Sequence, residues 1–173
     1  MISDYIVQMG NDVLRQKAEA IDPIDIRGKE TQDLIEKMRK ALATQSDGVA
    51  LAAPQIGHAK QIFIVASFIF EDSEERNLVY INPEIIHSSK ETKLLEEGCL
   101  SCRWKIGQVE RHIETTIRAY DQFGNQFEEK ASGLLSHIFQ HETDHLHGML
   151  FVDKAEGLRD MTQEEIDEVI RGK

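Results

Sequence analysis

The chain has 173 residues, 40% of them hydrophobic, which is enough for one sizeable core and gives no reason to expect several domains. Lysine plus arginine number 20 against 31 acidic residues, and the resulting net charge of −11 opposes general binding to nucleic acid or to an anionic membrane. No stretch approaches the roughly 18 apolar residues of a membrane span, and the opening Met1-Ile-Ser-Asp-Tyr5 lacks the basic-then-apolar plan of a signal peptide, so a single cytoplasmic domain over residues 1–173 is expected.

Residues 1–27 read as an extended arm with a short helix near Asp12-Val-Leu-Arg-Gln-Lys-Ala18, interrupted at Asp22-Pro23. Over 29–44, Leu34, Ile35, Met38, Ala41 and Leu42 keep helical spacing with charges on the other face, which predicts an amphipathic packing helix. Gly48-Val-Ala-Leu-Ala-Ala-Pro-Gln-Ile-Gly57 is a run of small residues with one uncharged polar side chain, Gln55. Structurally it is an irregular edge segment that another backbone can approach closely. Functionally it is a cleft wall, in which Gly48, Val49 and Ala50 let a peptide lie against the main chain and Gln55 offers an amide donor.

Residues 61–70 and 77–82 are apolar and β-rich, with acidic 71–75 as a solvated loop between them and Asn82-Pro83 as a break. Residues 84–89 and 91–96 are read as a further strand pair. Residues 112–120 alternate roughly, Asp121-Gln-Phe-Gly-Asn125 turns the chain, and 126–130 return as the second arm of a hairpin. A helix follows, with Ser132 as N-cap and Gly148 as its stop, and then the short apolar 149–152. A terminal helix opens at Thr162, whose capping-box partner is Glu165. Helix, several antiparallel strands, helix is the order of an α+β fold.

Within the second helix lies His141-Glu142-Thr143-Asp144-His145, an HExxH sequence. Its histidines sit one turn apart on one face, so both imidazoles can point at one ion, while Glu142 is rotated by about 100°. Leu134, Ile138, His141 and His145 fall at i, i+4, i+7 and i+11, so the histidine face continues an apolar face and is expected to look inward. Two inward histidines beside a glutamate need partners for their polar atoms, and a metal ion supplies one. Cys99, in Glu97-Gly-Cys-Leu-Ser101, is the candidate third ligand, leaving a fourth position for water. Two rivals stay open. Cys99-Leu-Ser-Cys102 is a CxxC that, with the two histidines, could close a structural Cys2His2 zinc site in a scaffold protein. An HExxH peptidase would need a downstream third ligand, and His147 stands too near His145 to be an easy choice. His58, His87, His112 and His137 read as surface or packing residues.

Gly48-Val-Ala-Leu-Ala-Ala-Pro-Gln55, Glu97-Gly-Cys-Leu-Ser101 and Gln140-His-Glu-Thr-Asp-His-Leu-His-Gly148 stand in the order, and at about the spacing, of the three motifs of the peptide deformylases. The chain resembles that family from Asp12-Val-Leu-Arg15 to Phe151-Val-Asp153. The resemblance implies antiparallel β-sheets around a central metal-binding helix, with a flanking helix in the N-terminal half and a short C-terminal one. It implies removal of the N-formyl group from formyl-methionyl peptides or nascent chains, with release of formate. It also implies one divalent metal ion, typically Fe2+, with Zn2+, Ni2+ or Co2+ able to occupy the site. Cys99, His141 and His145 would be its ligands and Glu142 the general acid/base. Gln55 and the backbone N–H of Leu100 would hold the formyl oxygen. Three departures bear on substrate preference rather than on metal chemistry. Ala50 stands where a second glycine is usual, Cys102-Arg103 where Ile-Pro is common, and Ile106 where an arginine is often found. They leave room for a deformylase-like hydrolase acting on a different formylated substrate. The short acidic tail opposes the ribosome docking that a basic C-terminal helix performs in some relatives.

Overall fold

The strands divide between two antiparallel sheets. Five of them run in the order β1 (Ala50–Ala52), β2 (Ile62–Val65), β3 (Val79–Ser88), β6 (Glu114–Tyr120) and β7 (Gln126–Ser132), and three in the order β4 (Thr92–Glu97), β5 (Lys105–His112) and β8 (Glu156–Asp160). This computed structural model describes residues 5–70 and 78–171, so the acidic 71–75 segment and Asn77 lie outside the described residues. The architecture is the expected α+β.

Ile62-Phe-Ile-Val65 is apolar at every position because both faces of the five-stranded sheet are covered. Ile62 and Ile64, with Leu51, Val79 and Ile81, belong to the core that α1 (Lys29–Ala43) completes through Leu34, Ile35, Met38 and Leu42. Phe63, Val65 and Tyr80 face the other way, toward Ile138, Phe139 and Leu146 of α2 (Gly133–Leu146). Phe63 stacks on Tyr80 with ring centroids 4.6 Å apart, and Phe139 meets Tyr80 edge-on at 5.1 Å. Such aromatic pairs contribute about 0.5–1.5 kcal/mol each beyond their area. The helix carrying HExxH is therefore held against a sheet that is itself backed by α1.

Several features differ from the sequence reading. The strand expected over 61–70 ends at Val65, and Ser67–Ile69 form a 3-10 turn with Phe68 exposed. Asn82-Pro83 is a bulge within β3 rather than a break: Asn82 adopts φ 49° and the register shifts between Ile81 and Glu84. The Asn82 side chain anchors the bulge, accepting from Ile21 N–H (2.8 Å) and donating to Ile21 C=O (2.7 Å), and the donor that Pro83 lacks falls where pairing is already interrupted. Residues 84–88 consequently pair with β6, and β4 pairs with β5 instead. Strands β5 and β8 went unread, since β5 mixes charges into its alternation and β8 is exposed throughout.

Asp12–Arg15 form the short N-terminal helical turn, capped by Asn11, whose Oδ1 accepts from Val13 N–H at 3.1 Å. In α2, Ser132 holds the N-cap position without a side-chain capping bond, and Leu134, in the first turn, is exposed rather than inward. The helix turns inward from Leu135 and Ser136 onward. The last helix, α3 (Gln163–Arg171), opens on the expected reciprocal cap: Glu165 accepts from Thr162 N–H (2.7 Å) and Thr162 Oγ1 from Glu165 N–H (3.3 Å). Among the described residues, no helix is long and apolar enough to cross a membrane.

At the end of α2, Gly148 adopts φ +74°, and a Cβ there would stand 2.5 Å from the carbonyl oxygen of Arg15. Ala18 N–H bonds Leu146 C=O at 2.9 Å, so the N-terminal arm and the helix end are locked together at this point. Gly148→Ala combines left-handed strain with a backbone clash and should lower stability by about 2–3 kcal/mol, read as an earlier midpoint in urea unfolding followed by circular dichroism.

Candidate metal centre and cleft

Cys99 lies in the turn that follows β4, and α2 presents His141 and His145 toward it. One ligand atom from each of the three residues lies within 4.8 Å of the others, with Cys99 Sγ 3.2 Å from His145 Nε2. Cys99 and His141 border a cleft of about 330 Å3, the lower end of the range for small-molecule sites, whose walls include Gly48, Val49, Gln55, Leu100 and Glu142, while His145 is buried. Cys102 is hydrogen-bonded to the Cys99 thiol and packs with Leu14, Val109, Leu150 and Phe151, but it is not among the residues whose ligand atoms converge. The described residues thus bring together an open Cys, His, His set rather than a closed Cys2His2 site.

The arrangement is organised by Glu97, the last residue of β4 and 3% exposed. Its carboxylate accepts from His141 Nδ1 (2.9 Å), His137 Nε2 (2.6 Å) and two nitrogens of Arg111 (2.6 and 3.1 Å). Arg111 also donates to Asp144 (2.7 Å), which accepts from Lys154 as well (2.8 Å). Burial alone would raise the Glu97 pKa, but the bonds from His137, His141 and Arg111 outweigh it and hold this carboxyl far below the usual carboxylate range. Because Nδ1 of His141 is committed to Glu97, its Nε2 is the nitrogen left for a metal. Sequence reasoning missed this network and treated His137 as a surface or packing residue, whereas its ring is tied to Glu97 and lines the cleft. The available signal was Arg111, which shares a strand face with Val109. A charge at a core position implies a buried partner.

Glu142 is 4% exposed, and its Oε2 has no partner among the described residues. Burial pushes its carboxyl up to about 7, with His141 opposing and Glu97 adding to the rise. Gln55 is turned by its own backbone, since Oε1 accepts from Ala52 N–H (2.8 Å) and the amide nitrogen then points at Ser101 Oγ (3.2 Å) and Cys99 Sγ (3.5 Å). Leu100 borders the cleft, and its carbonyl accepts from Gln8 Nε2 at 3.0 Å. Ala50 is 5% exposed and packs in the cluster of Phe63 and Tyr80, so its methyl is largely taken up by the core. Ile106, also buried, makes the wall apolar where the sequence lacks an arginine.

This donor set fits a divalent cation. Burial pushes His145 well below its ordinary value and favours the neutral ring, while a hydrogen bond with Cys102, followed by burial, pushes the Cys99 thiol up. A thiolate in that position calls for a nearby positive charge, which a coordinated cation provides. The orphaned Glu142 oxygen faces the same cleft.

The sequence model of the family described as Polypeptide deformylase matches residues 3–161. A peptide deformylase of Desulforudis audaxviator is 40% identical over 151 residues, covering 87% of this chain and 92% of its own. The crystal structure of a peptide deformylase from Synechococcus elongatus in complex with actinonin superposes with a TM-score of 0.79 at 34% identity, covering 96% of this chain and 85% of that one. A class I type b peptide deformylase from Acinetobacter baumannii, solved with Met-Ala-Ser bound, gives 0.77 at 35% identity over 86% and 96% of the two chains.

Removing the guanidinium would take from buried Glu97 and Asp144 the cation they share, leaving Glu97 the two histidine rings and Asp144 the more exposed Lys154. Arg111→Met should therefore cost about 3–5 kcal/mol, measured by chemical denaturation, far more than loss of an exposed ion pair.

Proposed function

Because this chain belongs to the peptide deformylase family, we propose that it hydrolyses the N-formyl group of formyl-methionyl peptides or nascent chains to formate, as one catalytic unit over residues 1–173. The observation that carries the reading is the convergence of Cys99, His141 and His145 at the edge of a cleft that Glu142 also lines. We assign these three as the ligands of a single divalent ion, Fe2+ in the native protein, with Zn2+, Ni2+ or Co2+ as substitutes. When bound, the ion supplies Lewis acidity, polarising the formyl carbonyl and lowering the pKa of water toward neutrality.

The protein's own groups do the rest. Glu142, with its carboxyl pushed up to about 7 and an Oε2 that has no partner among the described residues, accepts a proton from the attacking water and returns it to the departing amine. The Gln55 amide, fixed by Ala52, and the Leu100 N–H donate to the formyl oxygen as negative charge develops on it. Gly48, Val49 and Ala50 form the wall leading into β1, the edge strand of its sheet, and such an edge accepts an extended peptide by main-chain hydrogen bonding. The Met-Ala-Ser held by the Acinetobacter enzyme is a product of that kind. A formyl carbon carries only hydrogen, so a narrow site admits it and rejects larger acyl groups. Glu164, Glu165, Asp167 and Glu168 make α3 acidic, which does not suit contact with ribosomal RNA, and we assign the protein to the cytoplasm.

Glu142→Gln should retain bound metal and reduce formate release from formyl-Met-Ala by about 10²–10⁴-fold; wild-type turnover would remove Glu142 from the proton-transfer role. Elemental analysis of anaerobically purified protein should find one equivalent of metal in the wild type, almost none in Cys99→Ala, and close to the wild-type amount in Cys102→Ala. Equal loss from both cysteine variants would favour the closed zinc site.

A further inference from the structure

The wall that a substrate would follow runs away from Gln55 through Ala50, Val49, Gly48 and Asp47. At Asp47 it is bridged. Arg103, from the turn after Cys102, reaches across the cleft and donates to both Asp47 oxygens (2.5 and 3.0 Å) and to Gln45 Oε1 (2.9 Å), with its guanidinium 5.3 Å from the centre of the Trp104 ring. The Arg103 side chain is only 13% exposed, so this bridge is partly withdrawn from solvent.

A second crossing lies beside the first. The segment leading into α3 is tied to the same turn, since Met161 N–H donates to Trp104 C=O at 2.7 Å, and the C-terminal part of α3 reaches the residue before Asp47, where Ser46 Oγ donates to Val169 C=O at 3.4 Å. Arg159 grips Glu165 with two bonds of 2.6 and 2.8 Å and fixes the start of the helix. Met161 and Val169 both line the cleft. The family match ends at residue 161, so α3 lies outside it.

We propose that Arg103 and α3 form a double crossbar that makes the cleft a length filter, so that the protein acts on short N-formylated peptides of two or three residues in preference to longer chains. This rests on the deformylase reading, in which the formyl oxygen sits at Gln55 and Leu100. An extended peptide advances about 3.3 Å per residue, so one running beside the wall from Ala50 reaches the Asp47 bridge after roughly three residues. A longer chain must break the Arg103–Asp47 pair or bend away from the wall. Arginine suits such a crossbar because its planar fork holds both carboxylate oxygens at once.

The test is a length series, formyl-Met-Ala, formyl-Met-Ala-Ser and a formylated hexapeptide of the same opening sequence, with formate release giving kcat/KM. In parallel, calorimetric titration with the unformylated product peptides reads binding without turnover. For the wild type, kcat/KM and product affinity should both fall about 10-fold or more from tripeptide to hexapeptide. Arg103→Ala should shrink that ratio at least severalfold, Arg103→Lys should fall between, and Val169→Ala should act in the same direction as Arg103→Ala. A flat wild-type series with brisk formate release overturns the filter and leaves the deformylase reading standing, as does a steep series that no variant alters. Graded peptide binding without formate release from any substrate overturns the deformylase reading while supporting the filter, and absence of both removes the two together. The wild-type series needs no variant to fold, and thermal melts of the variants separate unfolding from altered length dependence.

Discussion

Everything at the centre of this molecule depends on one buried carboxylate. Glu97 ends β4, two residues before Cys99, and takes hydrogen bonds from His137 and His141 of α2 and from Arg111 of β5. It therefore joins the three-stranded sheet to the helix that packs beneath the five-stranded one, and sets the ring orientation of His141 in the same act. Such an isolated carboxylate would be costly to desolvate, but here each oxygen is satisfied by charged or strongly polar donors, and Arg111 passes the connection on to Asp144 and Lys154. Mechanical joining and chemical tuning are the same set of bonds.

The two faces of the five-stranded sheet divide the labour around this junction. One face is closed by α1, which contributes no cleft residue among those described and serves as backing. The other is closed by α2, whose aromatic and aliphatic contacts leave its histidine side turned toward the Cys99 turn. The edge strand β1 begins at the cleft, and the small residues leading into it let that edge serve as a wall. Ala50 fits the pattern because its methyl packs toward Phe63 and Tyr80 instead of filling the channel.

Much of this was legible in the residues. HExxH spacing, the apolar periodicity of α1, the alternation of β6 and the Thr162–Glu165 cap are local signals, and local hydrogen-bond geometry dictates their outcome. Cys99 and Gln55 stood out because they are reactive or polar side chains set among small residues. The Glu97 network did not, since it depends on β4 pairing with β5, and the sequence alone suggested pairing 84–89 with 91–96. The Asn82-Pro83 bulge hid the continuity of β3, and without β5 in view Arg111 had no visible partner for its buried charge. The exposed β8 carries no apolar alternation to announce it, yet it leads directly to the α3 crossbar.

Cys99 and His145 lie 46 residues apart in the chain and come within 3.2 Å only after both sheets have docked on α2. A chain that has not folded offers no such constellation, so metal affinity belongs almost wholly to the native state. Each tenfold rise in free ion above its dissociation constant then adds about 1.4 kcal/mol to the folding free energy. How long the protein persists in a cell is thereby tied to that cell's supply of metal, and starvation for the ion would thin the folded population as well as idle the site.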